Sequence, residues 1–292
     1  MEVSEMSHRI IADLLLARTG QQITDSRKWR VGTALSGLFR ERGITNIDQL
    51  VCLLADNHAG SLSQEVVEAL LNNETYFFRD RIMFELLSSS VLPDLAAKRS
   101  GTKRISIWSA GCSTGQEALS LAMLFADQPE RWKDWTIDIV GTDVSQRAIN
   151  AAQRACFTQF EIQRGLSVTQ MLSHFQETSA GWEPNDALRR MVRFKQRNLL
   201  DPAQIPHRFD LVLCRNVMLY FDASRRKKAF SRVADVTRED GWLMLGAGES
   251  VLGQTENFKA ADGNQGLYVR SKPGEIARKS APARGHSRSA SR

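Results

Sequence analysis

Arg104-Ile105-Ser106-Ile107-Trp108-Ser109-Ala110-Gly111-Cys112-Ser113-Thr114-Gly115-Gln116-Glu117 is the stretch that decides the fold. Its first half reads as an extended, partly alternating strand. Ala118, Leu121, Ala122 and Phe125 then fall on the i, i+3, i+4, i+7 stripe of a helix. Between strand and helix, Gly111 and Gly115 let the backbone turn tightly and approach a ligand closely. Such a turn is expected to offer free backbone N–H groups. The alternative is an ordinary strand-to-helix turn with no ligand at all.

Working outward, strands alternate with helices, which predicts a parallel sheet covered on both faces. Thr136 to Val140 is the second strand and ends at Gly141-Thr142-Asp143. Ser145 then caps a helix carrying Ala148, Ile149 and Ala152. Phe209 to Cys214 is a nearly all-apolar strand. Asp222 caps a helix whose inner face is Phe230, Val233 and Ala234, with Arg225, Arg226, Lys227 and Lys228 on its solvated side. Gly241 to Leu245 and Leu267 to Arg270 are closing strands.

Upstream, four amphipathic helices are expected. Met6, Ile10, Leu14 and Ala17 share a face before Gly20, and Val31, Leu35, Leu38 and Phe39 share one before Gly43. Ile47, Leu50, Leu53 and Leu54 form a third stripe. Ser61-Leu62-Ser63-Gln64 has capping-box spacing ahead of Val66, Val67, Leu70 and Leu71. The expected organisation is an N-terminal helical domain over residues 1–80, an α/β domain over 81–271 and a basic tail over 272–292.

With 292 residues, 42% of them hydrophobic, the chain can bury a substantial core. No apolar run approaches the roughly 18 to 20 residues that span a bilayer, and the first residues lack the basic entry of a secretory signal; a cytoplasmic protein is expected. Cys52, Cys112, Cys156 and Cys214 lack C-x-x-C spacing and the five histidines are scattered, so no metal site is expected. The formal charge is +6, but six basic residues after Ser271 against Glu275 place +5 of it in the tail. The body is nearly neutral, so nucleic acid is not an expected partner.

The unusual residues fall where open α/β sheets bind ligands, at the carboxyl ends of strands: Gly111, Asp143 and Asn216 each follow or end one. The Gly-x-x-x-Gly turn matches neither a dinucleotide fingerprint nor a P-loop, and Glu117 would repel a pyrophosphate. A carboxylate there suits a cationic ligand, and S-adenosylmethionine carries both an ammonium and a sulfonium. Asp143 either accepts ribose hydroxyls or merely caps the next helix.

Three segments, in order and spacing, resemble the chemotaxis receptor methyltransferases of the CheR family: Asn73-Glu74-Thr75-Tyr76-Phe77-Phe78-Arg79, Trp108 to Glu117, and Cys214-Arg215-Asn216-Val217-Met218-Leu219-Tyr220-Phe221-Asp222. Leu245-Gly246-Ala247-Gly248-Glu249-Ser250 and Asn198-Leu199-Leu200 also match. The resemblance runs from the first helix to about Arg270. It implies a Rossmann-like class I methyltransferase sheet, a small N-terminal helical domain and a small β insertion. It also implies S-adenosyl-L-methionine-dependent esterification of glutamate side chains on chemoreceptor cytoplasmic domains, leaving S-adenosyl-L-homocysteine. Carried over by position, Asn73, Thr75, Arg79, Gly111, Glu117, Asp143, Asn198, Leu199, Asn216 and Val217 would contact the cofactor. Arg79 and Tyr220 would face the methyl-transfer site. A glutamate carboxylate is ionised at neutral pH, so no general base is needed, in keeping with the lack of a histidine here. Alignment and exclusion of water are what remain to be supplied.

The family pattern is not matched throughout. Relatives commonly have a second helix dense in Arg and Lys, whereas here its middle is Gly32-Thr33-Ala34-Leu35-Ser36-Gly37, with Arg27, Lys28, Arg30, Arg40 and Arg42 at its ends. The β insertion is expected near 155–196, with Met191 to Lys195 its clearest strand and 179–185 its turn region. Two other functions remain open: a class I methyltransferase with another substrate, and a donor-binding scaffold without catalysis.

Overall fold

A computed structural model describes residues 5–56, 60–202, 208–261 and 266–271; the basic tail expected over 272–292 lies outside them. The central sheet has seven strands: β1 Arg104–Ala110, β2 Thr136–Asp143, β5 Val192–Gln196, β6 Phe209–Cys214, β7 Thr237–Leu245, β8 Phe258–Ala260 and β9 Leu267–Arg270. Their order is β5-β2-β1-β6-β7-β9-β8. β1 is parallel to β2 and β6, β2 to β5, and β6 to β7. β9 runs antiparallel to both β7 and β8, so it alone is reversed. The expectation of a parallel sheet is corrected at this edge, where β9 begins seven positions after β8 ends, too few for the crossover helix a parallel neighbour needs.

Alternation along the strands divides the core between two faces. Ile105, Ile107, Ile139, Leu211, Leu213 and Met244 pack on one side with Leu121, Ala122 and Phe125 of the helix Gln116–Ala126. Trp108, Ala110, Val140, Val212 and Leu243 pack on the other with Phe230, Val233 and Ala234 of the helix Ala223–Val236. Each fully buried Val, Leu, Ile, Phe or Met side chain among them contributes about 1.5–3 kcal/mol relative to exposure. Asp210, near the start of β6, is buried and accepts from Arg99 Nε at 2.6 Å, Arg238 Nε at 3.0 Å and Ser106 N at 2.8 Å.

Before the sheet come α1 Glu5–Thr19, α2 Trp29–Arg42, α3 Ile47–Ala55 and α4 Gly60–Leu70, which share a core of Ile11, Val31, Leu35, Leu38, Ile47, Leu50 and Val66. Gly43 ends α2 in the left-handed conformation. The face predicted for α1 is corrected by one position: Ser7, Ile11, Leu15 and Thr19 are buried, while Met6 and Ile10 are exposed. Ser7 and Thr19 can turn inward because Ser7 Oγ donates to Asp48 at 2.6 Å and Thr19 Oγ1 to the Leu15 carbonyl at 2.7 Å. The capping box at Ser61 is also corrected. The helix already includes Gly60, and the Gln64 amide bonds forward to Glu68 at 3.2 Å.

Between β2 and β5, β3 Phe175–Thr178 and β4 Gly181–Pro184 form a separate antiparallel pair. The strand expected at Met191 to Lys195 does not belong to it: Val192–Gln196 is β5, the parallel edge of the main sheet. Only Ser179 and Ala180 of the expected turn region join the two strands, and Gly181 to Pro184 lie in β4. A charged sequence such as Val-Arg-Phe-Lys-Gln suits an exposed edge in either sheet, so composition alone did not distinguish them. Phe77, fully buried, packs edge-on against Phe157 and Phe175 at 5.1 and 5.4 Å and ties this region to the chain before β1.

Candidate methyl-transfer cleft

After β1 the chain moves to β2 and β5 on one side, then returns to β6 on the other. The crevice left between β1 and β6 is where a ligand fits in such a sheet. The structure has there an open cleft whose empty space, counting its solvent mouth, is about 1090 Å³. It gathers every predicted residue: Asn73, Thr75, Arg79, Gly111, Glu117, Asp143, Asn198, Leu199, Asn216, Val217 and Tyr220.

The turn after β1 forms the floor. Gly111 has φ +81°, and a Cβ on it would lie 2.3 Å from Val217 Cγ2, so this position requires glycine both for its conformation and for its contact with the β6 loop. The expectation that the turn offers free N–H groups is corrected. Gly111 N and Cys112 N donate to the Thr142 carbonyl at 2.7 and 2.9 Å, Ser113 N to Asp143 at 2.9 Å and Gly115 N to the Cys112 carbonyl at 3.1 Å. These donors hold the turn against the end of β2.

Asp143 ends β2 and does not cap the next helix, a role that Ser145 takes. One oxygen accepts from Ser145 N at 2.9 Å and the other from Ser113 N, yet the carboxylate still lines the cleft. A carboxylate has about four acceptor sites, so each oxygen retains capacity for a ligand hydroxyl. Burial raises the Asp143 pKa, opposed by backbone N–H donors of Ser145, Ser113 and Val144. Ser145 itself caps the following helix, as the sequence predicts, accepting from Ala148 N at 2.9 Å and donating to Glu68 at 2.5 Å. Asn73 reaches the same hydroxyl at 3.3 Å, and its carbonyl accepts from Ser113 Oγ at 2.6 Å.

Opposite stands the end of β6. Asn216 has φ +59°, a conformation that costs a non-glycine residue about 1 kcal/mol or more. Glu249 holds it, one carboxylate oxygen accepting from Asn216 N at 2.7 Å and Gly246 N at 2.9 Å. Burial raises the Glu249 pKa, again against backbone donors. Glu117 accepts from Ser109 Oγ at 2.7 Å and from Arg215 Nη1 at 2.9 Å. Asn198 lines the cleft, but its amide bonds the Arg18 and Thr19 carbonyls at 3.4 and 3.3 Å, anchoring the end of α1.

Arg79 projects into the cleft from the loop after α4. Its Nη1 donates to the Glu74 carbonyl at 3.2 Å and its guanidinium lies 5.8 Å from the Tyr76 ring centre. Among the described residues it pairs with no carboxylate. Phe77 and Phe78 are core residues rather than cleft walls. Cys112 and Cys214 are buried free thiols, and burial raises both pKa values, so neither is a nucleophile.

Sequence reasoning missed Arg215, Glu249, Glu68 and Ser113, whose work is to hold cleft residues. A charged residue directly after the nearly all-apolar strand Phe209–Cys214 was the available signal for Arg215.

This sheet order, with one reversed strand and an acidic residue closing β2, defines a class I methyltransferase domain. The chain belongs to the CheR methyltransferase family: residues 73–267 match the family described as "CheR methyltransferase, SAM binding domain". It is 33% identical over 258 residues to chemotaxis protein methyltransferase 1 of Pseudomonas aeruginosa, covering 87% of this chain and 93% of that one. It is 32% identical over 284 residues to the chemotaxis protein methyltransferase of Escherichia coli, covering 93% of each. A solved structure of magnesium protoporphyrin IX methyltransferase from Synechocystis with bound S-adenosylmethionine overlays at TM-score 0.36 and 16% identity, over 82% of this chain and 97% of that one, too loosely to bear on the site.

The cofactor of this family is S-adenosylmethionine, and the cleft fits it. Asp143 has acceptor capacity left for a ribose, and Leu199, Val217 and Phe221 supply apolar wall. Glu117 brings negative charge where a cationic group can bind. No helix among the described residues is long and apolar enough to cross a membrane.

Proposed function

We propose that this enzyme esterifies glutamate side chains on the cytoplasmic domains of chemoreceptors. The observation that carries the reading is the Arg79 guanidinium, set in the cleft with, among the described residues, a single backbone acceptor and no carboxylate partner. A planar fork with spare donors matches a carboxylate bidentately. S-adenosylmethionine, when bound, supplies an electrophilic methyl group on a sulfonium. Asp143, Asn73, Asn216, Val217 and Leu199 hold the nucleoside, and Glu117 faces its cationic end. Thr75 and Gly111 shape the wall around them.

Arg79 orients the acceptor carboxylate, and Tyr220 shares it through its hydroxyl. The proton of the acceptor is already lost at neutral pH, so no side chain needs to remove one. Too strong a grip on the anion would raise the barrier unless the transition state is held equally well. The division into a helical domain to about residue 80 and a methyltransferase domain to 271 accords with the separate core of α1–α4. A cytoplasmic setting follows from the chemoreceptor substrate.

Incubation with labelled S-adenosylmethionine and receptor cytoplasmic fragments should give base-labile label. Arg79→Ala should reduce transfer by about a hundred-fold or more while S-adenosylhomocysteine still binds in calorimetry. Near-normal transfer by that variant, or label stable to base, overturns the reading.

A further inference from the structure

Arg215 is the least exposed cation of the cleft, its side chain 2% accessible. Its Nη1 donates to Glu117 at 2.9 Å, and its Nη2 to Asp80 Oδ2 and to the Arg79 carbonyl, both at 2.6 Å. Nε is buried without a partner. One guanidinium therefore bridges the carboxylate at the donor end of the cleft and the backbone of the residue at its acceptor end.

The segment it grips needs holding. Phe78 and Asp80 flank Arg79 with φ +50° and +62°, and left-handed non-glycine residues persist only where surroundings over-determine them. Phe78 is secured by Ser120 Oγ, which accepts from its N–H at 2.9 Å, and by Phe84 at 5.2 Å. On the Asp80 side, the Arg215 contacts secure both the residue's carboxylate and the carbonyl before it. The direction in which Arg79 leaves the backbone is set by this turn.

We propose that Arg215 is a positioning residue: through Asp80 and the Arg79 carbonyl it fixes the turn that aims Arg79, and through Glu117 it ties that aim to the donor end of the cleft. The proposal deepens the function given above and rests on Arg79 facing the acceptor. Arg215 touches neither reacting group in this role, so its loss is felt in turnover rather than in donor binding. Asp80→Asn keeps the shape of its residue and removes the charged arm of the bridge. Arg215→Lys keeps a cation on a single ammonium that cannot span all three oxygens.

The test uses the full chain and three measurements: methyl transfer to receptor fragments, S-adenosylhomocysteine calorimetry, and hydrogen exchange of the peptide covering residues 76–80. For Asp80→Asn we expect kcat to fall about ten-fold and exchange in that peptide to rise about ten-fold, with Kd for S-adenosylhomocysteine moving less than about three-fold. Arg215→Lys should show the same split. Unchanged exchange at 76–80, or a Kd that weakens in proportion to kcat, overturns the proposal. If Arg215→Lys fails to fold, Asp80→Asn alone decides. Wild-type protein that methylates no receptor fragment sinks the substrate reading instead, and the exchange measurement still judges the bridge.

Discussion

The side-chain amide of Asn72 donates a 2.9 Å hydrogen bond to the Tyr220 hydroxyl. With its acceptor side engaged, the hydroxyl has its proton left to donate, while Arg27 lies 4.8 Å from the ring centre on the other side of the wall. Tyr220→Phe removes that donor. We expect kcat to fall about ten-fold, the worth of one hydrogen bond to a charged group, with donor affinity near wild type; parallel kinetics and calorimetry check it.

Asp143 holds two backbone donors while facing the cleft. An Asn in its place offers one acceptor oxygen instead of two. Asp143→Asn should weaken S-adenosylhomocysteine binding by about ten- to a hundred-fold, measured by calorimetry, with little change in helix content by circular dichroism.

Burial raises the pKa values of Asp143 and Glu249, and the sign of the consequence is definite. A carboxyl with a higher pKa folded than unfolded costs stability while ionised. That cost is complete above the folded pKa and is relieved as pH falls below the unfolded one. Asp222 and Asp240, lowered chiefly by the Arg225 N–H and by Arg99, behave oppositely: their stabilisation is present above the unfolded pKa and lost as pH falls through the folded one. Donor affinity should therefore decline on acidification with a midpoint above the ordinary aspartate value, and in Asp143→Asn the part of that decline carried by Asp143 should be lost. Calorimetry across the carboxylate range measures both.

Gly111→Ala places a methyl 2.3 Å from Val217 Cγ2 at φ +81°. We expect a loss of about 1–3 kcal/mol, read by urea denaturation, together with reduced donor affinity because Val217 must move.

Asp210 sits near the opposite end of the strands. Asp210→Ala leaves Ser106 N and Arg99 Nε without their acceptor, while Arg99 keeps its pair with Asp240, and should cost about 1–3 kcal/mol, again by urea denaturation, while leaving S-adenosylhomocysteine affinity within about three-fold of wild type.

Much of this was legible in the chain. β1, β2 and β6 follow from runs of apolar residues bounded by Gly, Asp and Asn, and most cleft residues fall in the three matched segments, with Asn198 and Leu199 in a further match and Asp143 at the end of β2. The failures share a physical cause, because a residue's neighbours in space are invisible along the sequence. Ser7 and Thr19 read as polar and solvent-facing until their hydrogen-bond partners are known. Val192–Gln196 reads as a strand but does not announce which sheet it joins. The turn's N–H groups look available until the Thr142 carbonyl is found above two of them. Three-residue β8 is too short to show a period at all.

Thr19 and Gln21, at and just after the end of α1, and Asn72 to Tyr76 with Arg79, after α4, contribute one side of the cleft, while Asp143 and Asn216 contribute the other. Donor and acceptor handling are thus written in stretches of sequence that precede and follow β1. Grafting the sheet alone onto a foreign partner would transplant a pocket for the nucleoside and leave behind the hand that presents the carboxylate.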